Sequence, residues 1–295
     1  MVTTILIITY KNDKIITKLL DKFAKQYKVI VVENSNNKDF KKRLEKKYRN
    51  LTCVLTKSNL GFSKACNIGL KKINTKYALL INSDIDINYF IIKKIEKIAT
   101  VIKNFSIISP STPHIKDYIL ADHDKFYVNK FKENINNPNI VETNKLPGCC
   151  FFLNMKDIIK IKFFDENFFF YFEDLDLCKR LNNLNKKIYL IKKVFVKHNA
   201  NPSDTIPMRE WHYYWGMFYY HRKHYGYLRT LILLSKKMIR FFIFKSFNFF
   251  FNKRKYLIYN ARFNGLLNQA LNKKSTAYKK FYNSNKILID NWNIK

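Results

Sequence analysis

Tyr77-Ala78-Leu79-Leu80-Ile81-Asn82-Ser83-Asp84-Ile85-Asp86 is the stretch that decides the fold. Tyr77 to Ile81 is an apolar run of strand length, and it stops abruptly at a polar cluster. The same grammar recurs upstream. Ile5 to Tyr10 and Val29 to Val32 are apolar runs, the second ending in Glu33-Asn34-Ser35, and Thr52 to Leu55 reads as a third strand. Between them lie lysine-rich stretches of helical period, from Asp13 to Tyr27 and then on to about Tyr48. Asn59-Leu60-Gly61-Phe62 turns the chain into a helix through Ala65, Asn67 and Leu70. Strands alternating with helices predict an α/β fold, with a mostly parallel central sheet flanked by helices. Ligands of such sheets bind beyond the carboxyl ends of the strands, where each of these polar clusters falls.

Downstream the pattern fades. From about Pro110 to Lys145 the residues read as a long loop or small excursion. Order returns at Leu146-Pro147-Gly148 and the apolar run Cys149 to Leu153. An aromatic stretch from Phe163 to Phe172 then leads into Glu173-Asp174-Leu175-Asp176, the opening of a helix to about Asn183. Lys187 to Val196 predicts a further strand, ending at Lys197-His198-Asn199.

After about Asp204 the character changes. Thr205 to Lys295 holds two acids, Glu210 and Asp290, against 18 Lys and Arg, with many aromatics among them. The expected organisation is one catalytic domain over residues 1–203 and a helical, basic, aromatic-rich region over 204–295. On a helical wheel from Leu228, Arg229, Lys236 and Arg240 share a face, while Leu231, Ile232, Leu234, Ile239 and Phe242 lie mostly away from it. That arrangement predicts a helix lying in an anionic membrane interface, and packing against the sheet is the alternative.

The net charge of +33 on 295 residues favours anionic partners, although codon bias accounts for part of the lysine. Five cysteines without CxxC spacing suit a reducing compartment and neither a disulfide framework nor a zinc site. The N-terminus has no basic region or cleavage site, and no run of 18 apolar residues occurs. A cytoplasmic protein, peripheral on the inner face of the cell membrane, is therefore expected.

Three clusters could carry chemistry. Asp84 and Asp86 end a buried strand, where carboxylates can hold Mg²⁺ or Mn²⁺, or can simply shape a turn. Glu173, Asp174 and Asp176 occupy a helix's first turn, where they either cap the macrodipole or supply a general base. The preceding aromatics could raise such a base's pKa, or be core. His198 is a metal ligand or a structural residue.

In their joint order these motifs resemble the family 2 glycosyltransferases of the GT-A fold, particularly the rhamnosyltransferase-like enzymes of bacterial polysaccharide and O-antigen synthesis. I-L-I-I-T-Y-K-N resembles the family's first strand, and V-V-E-N-S its V-V-D-N-S. N-L-G-F-S-K-A-C-N-I-G-L, L-L-I-N-S-D and F-D-E-N-F-F-F-Y-F-E-D-L-D-L-C-K-R are similar to three further family motifs, over roughly residues 1–203. The resemblance implies an inverting, metal-dependent sugar transfer from a UDP-, dTDP- or GDP-linked donor to a glycan or lipid-linked acceptor. It implies that Thr9, Tyr10, Glu33, Gly61, Lys64, Asn67, Asn82 and Ser83 bind the donor. Asp84, with Asn82 or Asp86 completing the DxD-like pair, and His198 would hold Mg²⁺ or Mn²⁺. Asp174 would be the base, with Glu173 its local competitor. Glu33 replaces the family's Asp, which lengthens its reach to the nucleoside.

Two other classes fit less. A nucleotidyltransferase would show a glycine-rich loop after the first strand, where this chain has Tyr10-Lys11-Asn12-Asp13. A basic nucleic-acid or membrane-binding protein without catalysis would leave the acids without purpose, so no specific nucleic acid is expected.

Overall fold

The computed structural model describes residues 2–102, 104–113, 115–120, 124, 130–134, 137–199, 205–290 and 292. The chain forms two compact units, Met1–Glu166 with Asp174–Asn201, and Asn167–Glu173 with Pro202–Lys295. The boundary expected near residues 203 and 204 lies outside the described residues. The segment Asn167–Glu173 groups with the C-terminal region.

The first unit begins with β1 (Thr3–Thr9), α1 (Asp13–Leu20), β2 (Lys28–Glu33), α2 (Lys38–Lys47), β3 (Leu51–Leu55), α3 (Phe62–Leu70) and β4 (Tyr77–Asn82). It continues with β5 (Ile85–Asp86), α4 (Tyr89–Ile102), β6 (Ile107–Ser111), α5 (Ile115–Leu120), β7 (Phe131–Asn134) and β8 (Asn137–Thr143). The last elements are β9 (Cys150–Asn154), α6 (Met155–Lys160), α7 (Glu173–Asn183), β10 (Ile188–Phe195) and β11 (Lys197–His198). Nine strands form one sheet in the order β3-β2-β1-β4-β9-β6-β10-β8-β7. Pairing is parallel across β3-β2-β1-β4 and between β6 and β10. It is antiparallel at β4–β9, β9–β6, β10–β8 and β8–β7, so the sheet is mixed beyond β4.

Alternation along the strands sorts the core. Ile5, Ile7, Val29, Val31, Leu79 and Ile81 face one side, under Ile16, Leu19, Phe40, Leu44, Ile92 and Ile95 from α1, α2 and α4. Leu6, Ile8, Ile30, Val32, Ala78 and Leu80 face the other, with Ala65, Cys66, Ile158, Leu177 and Leu181 from α3, α6 and α7. Each such side chain contributes about 1.5–3 kcal/mol on burial, which makes the sheet a rigid mount for its strand-end loops. All five cysteines are buried.

Two expectations need correction. Of the two readings of Pro110 to Lys145, the small excursion fits and the single long loop does not, since the stretch contains the end of β6, α5 and the β7–β8 pair at the sheet edge. The apolar signal of β8 is little more than Ile140 and Val141, both buried, amid Asn, Glu and Thr. Pro110 sits in an inner strand because β6 pairs with β9 only through Ile107 and Ile108, leaving no ladder bond for its missing N–H. The first helix stops at Leu20. Its continuation to Tyr27 is a series of turns in which Lys22 N bonds Leu19 O and Gln26 N bonds Phe23 O.

The second unit is helical, with α8 (Ile206–Tyr225), α9 (Tyr227–Phe251), α10 (Lys253–Ala270), α11 (Tyr278–Ser284) and α12 (Lys286–Asp290). Trp211, Trp215, Leu257, Ala261, Phe281 and Ile289 form its core. Aromatics that precede α7 pack here. Phe168 meets Tyr219 at 4.8 Å, Phe169 stacks on His212 at 4.7 Å and Phe172 meets Tyr213 at 5.1 Å. Tyr171 and Phe172 both hold positive φ, 70° and 71°, a conformation bulky residues keep only under such packing.

α9 uses a narrow face for packing, that of Thr230, Leu234, Phe241 and Asn248. Leu234, expected on the interfacial side, is buried with it. Leu228, Ile232, Ile239, Ile243 and Phe250 lie opposite and are 72%, 74%, 61%, 58% and 81% exposed. No helix among the described residues is long and apolar enough to cross a membrane.

Candidate active site

The parallel strands β1, β2 and β4 end side by side, and their polar clusters gather there. Thr9 and Glu33 are register partners at the ends of β1 and β2, and both are buried. Among the described residues Thr9 Oγ1 and Glu33 Oε2 have no hydrogen-bond partner. An orphaned buried hydroxyl beside an orphaned buried carboxylate oxygen calls for a ligand that offers both donors and acceptors. Burial raises the pKa of Glu33, opposed by the hydroxyl of Ser35, which donates to Oε1. Tyr10, next in chain, is half-buried.

Asn34 builds the adjoining loop. Its amide donates to Asn59 Oδ1 at 3.0 Å and to Gly61 O at 3.2 Å, and its oxygen accepts from Leu60 N at 3.0 Å. Gly61 then starts α3 with φ 83° and ψ 171°, a region open to glycine almost alone. Lys64 is exposed on the first turn of α3. Asn67 is bonded to a loop remote in sequence. Its amide donates to Phe164 O at 2.9 Å and Glu166 Oε1 at 3.0 Å, and its oxygen accepts from Phe164 N at 3.0 Å. Through these bonds Asn67 positions residues 164–166.

At the end of β4, Asp84 Oδ1 lies 3.3 Å from His198 Nε2. The antiparallel pair β5–β11 sets this contact, and Asn199 N donates to Asp84 O at 3.1 Å. The hydrogen bond to Asp84 raises the pKa of His198, with burial opposing. Asp86 takes the other side of β5: it is exposed and bonded to Lys22. The geometry thus groups Asp84 with His198 and leaves Asp86 apart. Asn82 and Ser83 lie on the strand end, Ser83 buried.

Asp174, near the start of α7, is partly buried, and three donors address its carboxylate. Gly148 N reaches Oδ2 at 2.9 Å, the Tyr118 hydroxyl reaches Oδ2 at 3.2 Å, and Leu175 N reaches Oδ1 at 2.8 Å. Burial raises its pKa despite these bonds. Gly148 lies close to this carboxylate, and an added Cβ would stand 3.1 Å from Asp174 Cβ, so that the side chain would have to give by a few tenths of an ångström. Asp176 is fully buried and bonded at 2.8 Å to Arg180, whose guanidinium also donates to Ile161 O and Phe163 O, both at 2.7 Å. It is a structural clamp. Glu173, also buried, groups with the second unit.

The segment Gly148-Cys149 joins the two acidic centres. Gly148 N holds Asp174, while Cys149 O accepts from Asn82 N at 3.0 Å. Burial pushes the Cys149 thiol up to about 12, and the charges of Asp174 and, more weakly, Asp84 add to the shift. Both carboxylates therefore act on one buried sulfur. Gly148 and Tyr118 had not been singled out. Tyr118 hid in the stretch read as a loop, whereas a glycine opening an apolar strand was a usable signal.

Among the described residues no three His, Cys, Asp or Glu side chains gather into a closed metal site. Asp84 and His198 offer one oxygen and one nitrogen, an open donor set that fits a divalent cation whose other ligands come from substrate phosphate and water.

Comparison with known proteins follows the same lines. The family model described as Glycosyl transferase family 2 matches residues 4–160. The low-salt glycan biosynthesis hexosyltransferase Agl10 of Haloferax volcanii is 23% identical over 217 residues, covering 68% of each chain. Rhamnosyltransferase WbbL of Escherichia coli is 23% identical over 237 residues, which is 70% of this chain and 88% of WbbL. Among solved structures, the mannosyltransferase PcManGT of Pyrobaculum calidifontis, in complex with GDP-Man and Mn²⁺, superposes with a TM-score of 0.56. That match is 12% identical and covers 92% of this chain and 88% of the other.

Proposed function

Because the chain belongs to glycosyl transferase family 2 and is a nucleotide-sugar glycosyltransferase of glycan synthesis, we propose that Asp174 is its general base and that Asp84 and His198 hold its divalent cation. One observation carries this reading: Gly148-Cys149 is bonded to Asp174 on one side and to the Asn82 strand end on the other.

Thr9 and Glu33 take the nucleoside, their orphaned atoms receiving the base or ribose, and Gly61 lets the backbone approach it. Asp174 accepts the proton of an acceptor hydroxyl while that oxygen attacks the anomeric carbon. The bond from that carbon to the donor's diphosphate oxygen breaks, and the configuration inverts. A bound Mg²⁺ or Mn²⁺ would neutralise charge on the departing diphosphate. The raised pKa of Asp174 suits it to this task, since a base works best when its pKa nears the working pH. Asp174, held by Gly148, is the stronger candidate, and Glu173 the weaker.

The acceptor is a glycan or a lipid-linked glycan, and the second unit attaches to an anionic membrane surface from the cytoplasmic side. Support for attachment comes from α9: an exposed ridge of Leu228, Ile232, Ile239, Ile243 and Phe250 is flanked by exposed Arg229, Lys236, Lys237 and Arg240. Such a helix lies in the interface with its apolar side down and its cations at the headgroups.

A thermal-shift screen of UDP-, dTDP- and GDP-sugars with and without Mn²⁺ tests the catalytic reading. One donor class should stabilise the protein only with metal, and that dependence should vanish in Asp84→Ala. Stabilisation by no donor, or equal stabilisation in chelator, would refute it.

A further inference from the structure

A second site lies far down the chain from the catalytic residues. Between α10 and α11 the helical unit forms a half-open cavity of about 380 Å³. Asn260, Asn264 and Asn268 line it from successive turns of α10, Asn285 faces it from the end of α11, and Lys273 and Lys280 complete its polar wall. Leu267 and Phe281 add apolar surface.

The hydrogen-bond inventory of this wall is incomplete. Asn264 Nδ2 donates to Asn260 O and Oδ1 at 2.9 and 2.8 Å, Asn268 Nδ2 donates to Asn264 O at 2.7 Å, and Asn285 Nδ2 donates to Phe281 O at 2.9 Å. Among the described residues nothing donates to the side-chain oxygens of Asn264, Asn268 or Asn285. Those amide oxygens are left as open acceptors on residues that line the cavity. Asn is a poor helix former, so three of them on one face of α10 work against the helix that carries them.

Charge narrows the ligand further. The acids of the stretch 205–290 are both engaged elsewhere. Glu210 takes Arg262 through two bonds of 2.8 and 3.1 Å, and Asp290 accepts from Tyr282 at 2.6 Å. No carboxylate lines the cavity, and neither Lys273 nor Lys280 has an ion-pair partner among the described residues. Acceptors match sugar hydroxyls, ammonium groups match an anionic oxygen, and an apolar patch matches a pyranose C–H face.

We propose that this cavity binds an anionic saccharide, a sugar or short glycan carrying phosphate. It goes beyond the catalytic reading and does not depend on it.

Calorimetric titration of the full chain with glucose 1-phosphate, in metal-free buffer, tests the proposal, with inorganic phosphate and glucose as separate probes. Glucose 1-phosphate should bind more tightly than either. The double variant Lys273→Gln/Lys280→Gln should weaken it tenfold or more, because two charge-assisted bonds are lost. Asn264→Ala/Asn268→Ala should weaken glucose 1-phosphate but leave phosphate unchanged. Both lysines are exposed, so the lysine variant should fold with an unchanged melting temperature. Asp84→Asn should not alter this binding. Affinity untouched in the lysine variant but lost in Asp84→Asn would put the ligand in the catalytic cleft and overturn the proposal. Equal affinity for phosphate alone would remove the saccharide, and equal affinity for glucose would remove the anion.

Discussion

Asp174→Asn separates the proposed base from a structural carboxylate. In the native protein three donors converge on Asp174: Gly148 N at 2.9 Å, Leu175 N at 2.8 Å and the Tyr118 hydroxyl at 3.2 Å. An amide keeps a single acceptor oxygen. With that oxygen on Leu175 N, the new NH₂ group meets Gly148 N–H donor to donor, and leaving one buried donor unsatisfied costs about 1–3 kcal/mol. The Tyr118 hydroxyl can rotate and accept instead, so that contact survives. Burial also disfavours the native charge, as the raised pKa of Asp174 records, and the neutral amide regains part of the loss. The net change in stability should therefore stay near 1 kcal/mol, a few degrees in melting temperature. Removing a general base slows transfer by about 10² to 10⁴, or roughly 2.7–5.4 kcal/mol in the barrier. The catalytic effect dominates. Nucleoside diphosphate release at saturating donor reads the rate, and calorimetry with the same donor reads affinity. Release within threefold of the parent, or donor affinity falling in step with the rate, would refute the assignment.

The acid limb of the native pH–rate profile should sit above the ordinary carboxylate range, because Asp174 must be deprotonated and its pKa is raised; a limb near pH 4 would count against it. His198 gives an opposite signature in chelator. Its folded pKa lies above 6.5, so the stability from its pairing with Asp84 is full below that value and fades as pH rises through the folded pKa, and His198→Gln should abolish that slope. Metal ligation needs the neutral imidazole, so Mn²⁺ affinity should rise over the same window, and a flat titration would exclude His198 as a ligand. Gly61→Ala should destabilise by about 1–3 kcal/mol, since alanine cannot hold φ 83° and ψ 171° without strain; an unchanged denaturation midpoint would show that the loop relaxes. Ile239→Asp/Ile243→Asp should release the protein from anionic liposomes at unchanged melting temperature, and undiminished co-sedimentation would end the interfacial reading of α9.

How legible the site was depended on where each residue's partners lie. β1, β2 and β4 announce themselves because both faces are buried and the apolar run needs no knowledge of the rest of the chain. α7 is equally plain, and its expected span to Asn183 matches the structure. The strands β7 and β8 were not legible, because at the sheet edge tertiary pairing overrides a weak local pattern. Asn67 shows a different limit. Its motif spacing was visible, but which of two loops its amide serves is fixed by the arrival of Phe164, remote in sequence. Asp84 stood out along the chain because it belongs to both DxD-like frames, but the side-chain partners of Asp84 and Asp86 were open. Only the two-residue ladder with β11 sorts them, giving His198 to one and Lys22 to the other.

That same short ladder has a consequence for biosynthesis. A contact between residues 84 and 198 closes late, because the entropy of so long a loop must be offset by the intervening sheet. On the ribosome, the ends of β1 and β2, proposed to take the nucleoside, can assemble early, whereas the proposed cation pair of Asp84 and His198 awaits β10 and β11. On that proposal, a nascent or truncated chain would hold a nucleotide weakly and without metal until the first unit has been made to its end.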